Sequence, residues 1–235
     1  MAHHRASPVF SPYRCCASFA SIITLVVAQF VSVAAWACRE NAMIVFDASG
    51  SMALVRDGQS KMVSARRAAR EVLPNLTRNR PTGLVTYSGG KGRACEDVSL
   101  RLRPSSNSGV AIASHLDRIE PDGATPLSPA VKLAANTLKE LGPPGVVVLI
   151  TAGLENCGND ACALGEELRR DSYDVKIHVI SFYLHARATD RIECLAKLTG
   201  GTYTTTASLD GLKEALRKTL GCPRVSKASL TFPIR

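Results

Sequence analysis

The apolar run from Ala42 to Phe46 stops at Asp47-Ala48-Ser49-Gly50-Ser51-Met52, and no other feature of the chain narrows its fold as far. A strand that gives way to a carboxylate and two hydroxyls in D-x-S-x-S order reads as the turn from a strand into a helix. Asp and Ser bond nearby backbone amides and cap helices, and that structural work is one account of the motif. The other is chemical, because oxygens spaced this way can face one hard cation. Mg²⁺ takes about six oxygen ligands near 2.0–2.1 Å and usually keeps some waters, so three side-chain oxygens from one turn make half a site. The other ligands have to come from elsewhere in the chain.

Periodicity places strands at Ala42 to Asp47, Gly83 to Ser88, Asp97 to Leu102, Val146 to Thr151, Val175 to Phe182 and Gly201 to Thr206. Helices are expected over Ser60 to Leu73, Ser108 to Ile119, Leu127 to Leu141, Cys162 to Arg170, Arg191 to Thr199 and Leu209 to Leu220. Strands that alternate with helices pair in parallel through right-handed crossovers, and a continuous apolar run such as Val146 to Ile150 suits a strand covered on both faces. The exception is the pair joined by Gly89-Gly90-Lys91-Gly92-Arg93, which is too short for a crossover helix and implies an antiparallel hairpin at one edge. No internal repeat or low-complexity linker divides the chain.

Two further loops carry related signals: Asp122-Gly123-Ala124-Thr125-Pro126-Leu127 ahead of a helix, and Thr151-Ala152-Gly153 behind an apolar strand. With these the chain resembles the von Willebrand factor A domain over about residues 42 to 220. That resemblance implies a Rossmann-like, three-layer α/β/α fold with a mostly parallel six-stranded sheet and one antiparallel edge strand. It also implies a metal-ion-dependent adhesion site built from D-x-S-x-S, a threonine of a second loop and an aspartate of a T-D-G turn in a third. Asp47, Ser49, Ser51 and Thr125 match the pattern, and Ala152 stands where the aspartate is expected. Losing that carboxylate implies a degenerate site holding Mg²⁺, or Mn²⁺ or Ca²⁺, only weakly. Asp122 and Glu155 are the compensating candidates, although Asp122 precedes Gly123 in what reads as an ordinary turn and Glu155 precedes a cysteine-rich loop. The segments Cys95 to Val98, Glu155 to Cys162 and Cys194 to Gly201 resemble a bacterial exported branch of the family, whose domains are usually binding modules.

Residues 1–37 carry Arg5 and Arg14, no acid, an apolar run near Ile22 to Val33, and then Ala35-Trp36-Ala37, the layout of a secretory signal peptide. An uncleaved N-terminal membrane anchor is the alternative. On this reading 38–222 is the A-type domain, 223–235 is a C-terminal tail, and the protein is periplasmic or secreted. The mature chain keeps Cys38, Cys95, Cys157, Cys162, Cys194 and Cys222, an even number that favours disulfides in an exported protein. Cys38 and Cys222 both fall where strands begin and are expected to pair. Cys157 with Cys162 would close one loop, leaving Cys95 and Cys194 to each other or to a rearranged set. With no C-x-x-C pair, zinc is disfavoured.

The net charge of +9 falls to +7 without residues 1–37, with 27 basic residues against 20 acidic. Arg66, Arg67, Arg70, Arg78, Arg80, Arg101 and Arg103 offer a basic surface for anionic polymers or lipid headgroups, and a solvated face is the plainer account. Nucleic acid is excluded by export and by the lack of interleaved aromatics. Lys91 is followed by Gly92, not by Ser or Thr, so the glycines at 89, 90 and 92 do not make a P-loop. No G-x-S-x-G elbow is present, and one carboxylate among hydroxyls is a poor hydrolytic set. The expected function is therefore non-enzymatic: protein binding in which an acidic side chain of the partner completes the ion's coordination. A metal-free, disulfide-stabilised interaction module is the alternative, and a metal-dependent hydrolase comes third.

Overall fold

The computed structural model describes residues 40–90, 95–142, 144–184 and 190–222. Among them run β1 (Asn41–Asp47), β2 (Val55–Arg56), β3 (Gln59–Ser60), α1 (Lys61–Leu76), β4 (Thr82–Tyr87), β5 (Val98–Ser105), α2 (Gly109–Asp117), α3 (Leu127–Leu141), β6 (Gly145–Thr151), α4 (Ala161–Arg170), β7 (Val175–Phe182), α5 (Asp190–Leu198), β8 (Tyr203–Thr206) and α6 (Leu209–Leu220). The expected leader, Cys38 and the tail lie outside the described residues.

β1 and β6 are buried along nearly their whole length, as strands with apolar side chains on both faces must be. The six-stranded sheet runs β5-β4-β1-β6-β7-β8, parallel throughout except for the antiparallel β4–β5 edge. Alternate residues of β1 point to opposite sides. Ala42, Ile44 and Phe46 join a core with Met62, Ala65 and Ala69 of α1, Ile112 of α2 and Leu212 and Leu216 of α6. Met43 and Val45 face the other way, into Leu127, Val131 and Leu138 of α3, Leu164 of α4 and Leu195 of α5. Helices thus cover both faces of a mixed sheet, the three-layer α/β/α arrangement expected from the sequence.

Besides β5, which runs on to Ser105 beyond the expected Leu102, the elements depart from expectation in two places. The stretch between Gly50 and Ser60 holds a 3₁₀ turn, Gly50–Ala53, and the short antiparallel ladder β2–β3, neither of which the hydrophobic pattern announces. Helix α1 also continues past Pro74 to Leu76 instead of stopping at Leu73. A proline removes one helical hydrogen bond, but here Thr77 N bonds Leu73 O at 3.0 Å and Thr77 Oγ1 accepts from Gly109 N at 2.9 Å, tying the final turn to α2. A Cβ at Gly109 would lie 2.3 Å from the Leu73 backbone, so only glycine permits that approach.

The disulfides correct the expected pairing. Cys157 and Cys162 do not bond to each other: Cys95 joins Cys157, and Cys162 joins Cys194. The reason is the helix start between them. Asp160 caps α4 by accepting from Cys162 N at 2.7 Å and Ala163 N at 3.3 Å, which commits Cys162 to the first helical turn, packed against α5. Cys157 N instead donates to Glu155 Oε1 at 2.9 Å, in the irregular loop that meets the β4–β5 hairpin. Cys95 and Cys194 are therefore in the rearranged set. Cys222 is also disulfide-bonded, and its expected partner Cys38 lies outside the described residues.

Candidate functional site

The carboxyl ends of β1 and β6 and the loop ahead of α3 converge above the centre of the sheet. Asp47, the last residue of β1, is fully buried. Its Oδ1 accepts from Ser49 N at 2.8 Å, and its Oδ2 accepts from Ala152 N at 2.8 Å and lies 3.1 Å from Thr151 Oγ1. One carboxylate thus shapes its own loop and fastens the loop after β6. Thr151 Oγ1 also lies 2.8 Å from Gly153 O and accepts from Tyr87 OH at 3.0 Å; its single hydrogen serves one acceptor at a time. Burial, and then the Asp47 charge, push the Tyr87 phenol well above its usual value, so this buried chain of groups keeps its proton.

The second loop is stitched to the first through backbone. Gly50 N bonds Gly123 O at 3.1 Å, Asp122 N bonds Ala48 O at 3.0 Å, and Gly89 N bonds Asp122 O at 3.0 Å. These ties bring Thr125, 4% exposed, to the serines. Ser49 Oγ and Ser51 Oγ are 3.0 Å apart. A Cβ built on Gly153 would stand 3.2 Å from Ser51 Oγ and 3.3 Å from Thr125 Oγ1, so the glycine leaves open the space that both hydroxyls border.

Two candidates from the sequence are committed elsewhere. Asp122 accepts from Gly123 N at 2.8 Å, and Gly123 takes the left-handed conformation at φ 89°, which makes a local turn. Glu155 accepts from Ser128 N at 2.7 Å through Oε2 and from Cys157 N through Oε1, placing its charge at the amino end of α3. The basic residues are also engaged. Arg66 donates to Leu116 O at 2.9 Å, Arg67 pairs with Glu71, Arg70 with Asp117, Arg103 with Glu140, and Arg80 is buried beside Glu40 and Thr219 O. A free basic face along α1 is therefore not what the fold presents.

Sequence reasoning missed Lys61. It opens α1, is 3% exposed, and places Nζ 3.5 Å from Ala152 O. Burial, followed by the Arg56 charge, lowers its pKa, and Asp47 acts in the opposite direction. A lysine in the first turn of a helix sits against the macrodipole, and that mismatch was the available signal.

A divalent ion can be tested against this donor set. Among the described residues no group of three or more His, Cys, Asp or Glu could hold a metal, so hydroxyls would have to supply most of the ligands. Two ligands at right angles on 2.0–2.1 Å arms are about 3.0 Å apart, and the serine oxygens have that spacing. The serine pair fits a small octahedral cation in spacing, and Thr125 Oγ1 borders the same space as Ser51. The charge of the donor set suits it less, because Asp47 is the one carboxylate in it and its Oδ1 and Oδ2 already accept from Ser49 N and Ala152 N.

Residues 42–155 match the family model described as the von Willebrand factor type A domain. The chain carries a von Willebrand factor type A domain. Over 191 residues it is 29% identical to the uncharacterized protein YwmD of Bacillus subtilis, covering 76% of this chain and 84% of that one. Among solved structures, a von Willebrand factor type A protein from Catenulispora acidiphila aligns at TM-score 0.61 with 18% identity, covering 78% of this chain and 42% of its own. The pilus adhesin SpaC of Lactobacillus rhamnosus GG aligns at TM-score 0.61 with 14% identity, covering 77% and 30%. These structural likenesses concern the fold, whose A-type arrangement accounts for the edge hairpin and for the three loops meeting at Asp47.

Proposed function

We propose that this chain is a non-enzymatic, exported A-type module that binds a protein partner at the loop face formed around Asp47, Thr125 and Ala152. A divalent ion, Mg²⁺ or Mn²⁺, is held weakly there by Ser49, Ser51 and Thr125 with Asp47 nearby. An acidic side chain of the partner is the ligand that completes its coordination. The observation that carries this reading is that Ser51 and Thr125, from two loops, border the space left open at Gly153, with Ser49 Oγ 3.0 Å from Ser51 Oγ. Among the described residues these hydroxyls bond to no carboxylate, histidine or lysine that could serve as a general base, which argues against hydrolysis. Disulfides that persist only under oxidising conditions support export, and adhesin and pilin structures among the fold's neighbours suit a role in protein contact.

One observation favours a second reading, in which the module binds its partner without metal: Lys61 already brings a positive charge to Asp47. Calorimetric titration of Mg²⁺ and Mn²⁺ into the oxidised chain decides between them. Binding that disappears in Ser49→Ala/Ser51→Ala supports the metal-bridged reading. No heat at millimolar ion sinks it and leaves the metal-free module.

A further inference from the structure

Lys61 is a buried ammonium with little to hold it. It carries three N–H donors and reaches one acceptor, the Ala152 carbonyl, at the 3.5 Å margin of hydrogen bonding. The α1 dipole and the Arg56 charge both work against it, and Asp47 is the carboxylate that favours it. Burying a charge this way is costly unless an opposite charge answers it. Asp47 is also the only carboxylate in the proposed ligand set, since Glu155 caps α3 and Asp122 closes its own turn. A carboxylate at position 152 would give the cluster a second negative charge; with alanine there, one anion faces a resident cation before any metal arrives. The formal charge of Asp47 and Lys61 together is zero.

We propose that Lys61 is the resident counter-cation of Asp47 and sets the site's affinity for a divalent ion by competing with that ion for the single carboxylate. The inference rests on the reading of Ser49, Ser51 and Thr125 as metal ligands. Lys61 touches none of these hydroxyls by a hydrogen bond, so its influence on the ion is electrostatic and removable without disturbing the ligand oxygens. The ion's occupancy then depends on a further negative charge, which the carboxylate of an acidic partner brings.

The test is Mn²⁺ titration by calorimetry into the full oxidised chain and its Lys61→Met, Lys61→Arg and Lys61→Met/Ser49→Ala/Ser51→Ala variants. Methionine keeps the length of the side chain without its charge, and Lys61→Gln replaces it should the methionine variant not fold. Lys61→Met is expected to bind Mn²⁺ about tenfold tighter or more, since removing a buried unit charge that reaches the carbonyl of Ala152, whose amide bonds Asp47, is worth at least that. Lys61→Arg should show no gain, and the combined variant should lose the gain. Equal affinity in the wild type and Lys61→Met overturns the inference and leaves the metal-bridged reading standing. A gain in Lys61→Met with a silent wild type supports the inference while sinking that reading in favour of the metal-free one. Silence in both sinks both.

Discussion

The loop after β1 and the loop after β6 meet at Asp47, but they are held in different ways. The first, Asp47 to Ser51, is shaped by its own carboxylate bonding Ser49 N, and it presents Ser51 Oγ to the open space at Gly153, with Ser49 Oγ beside it. The second, Thr151 to Cys162, is fastened to its surroundings: Ala152 offers only backbone, Glu155 caps α3, and its cysteines are tied to the β4–β5 hairpin and to α5. In the family pattern both loops contribute side-chain oxygens to the ion. Here one carries hydroxyls and the other serves as a fastening, so a loop without a side-chain oxygen at Ala152 is still held in place by backbone and cross-links.

The bridges give the largest effect by which to break this contrast. Cross-links spanning 62 and 32 residues each contribute up to about 4 kcal/mol on the chain-entropy account. Urea denaturation of Cys95→Ala/Cys157→Ala and of Cys162→Ala/Cys194→Ala should show losses approaching that size. Losses below about 1 kcal/mol in both would mean that the second loop is held by something else. Asp47→Ala comes next and should be compared with Glu155→Ala. Removing Asp47 strands two backbone donors and the Lys61 ammonium in a buried setting, an expected loss of about 3 kcal/mol. Removing Glu155 strips a partly exposed cap, expected at about 1–2 kcal/mol. Equal losses would erase the difference between the two loops.

The smallest effect sharpens the point where the loops touch. Tyr87→Phe removes the donor to Thr151 Oγ1 and should lower stability by about 1 kcal/mol at neutral pH. The folded chain holds the Tyr87 proton well above the ordinary value of 10.0, whereas the unfolded chain releases it near there. The phenol's contribution is therefore complete below pH 10 and is lost as pH rises beyond it. Denaturation from pH 8 to 11 should show part of the alkaline loss missing in Tyr87→Phe, and an unchanged pH profile would remove Tyr87 from the network around Asp47.

Much of this architecture is legible in the residues. The apolar runs Ala42 to Phe46 and Val146 to Ile150 need cover on both faces, and the short glycine-rich link after Ser88 leaves no room for a crossover helix. The oxygen spacing of Asp47, Ser49 and Ser51 is equally local. What could not be read is whatever depends on two distant segments at once. The pairing of Cys157 depended on the Asp160 cap turning Cys162 into a helix, and the 3₁₀ turn and β2–β3 ladder have too few residues to show a period.

The sequence by itself determined the alternation of strands and helices, the antiparallel edge and the spacing of Asp47, Ser49 and Ser51, because each follows from periodicity or spacing within a few residues. Tertiary structure alone decided that Glu155 caps α3, that Cys95 meets Cys157, and that Lys61 reaches the Ala152 carbonyl across 91 positions of chain. Those outcomes depend on how α1, α3 and α4 pack against the sheet. The balance of charge at Asp47 is a property of that packing, not of the motif that contains it.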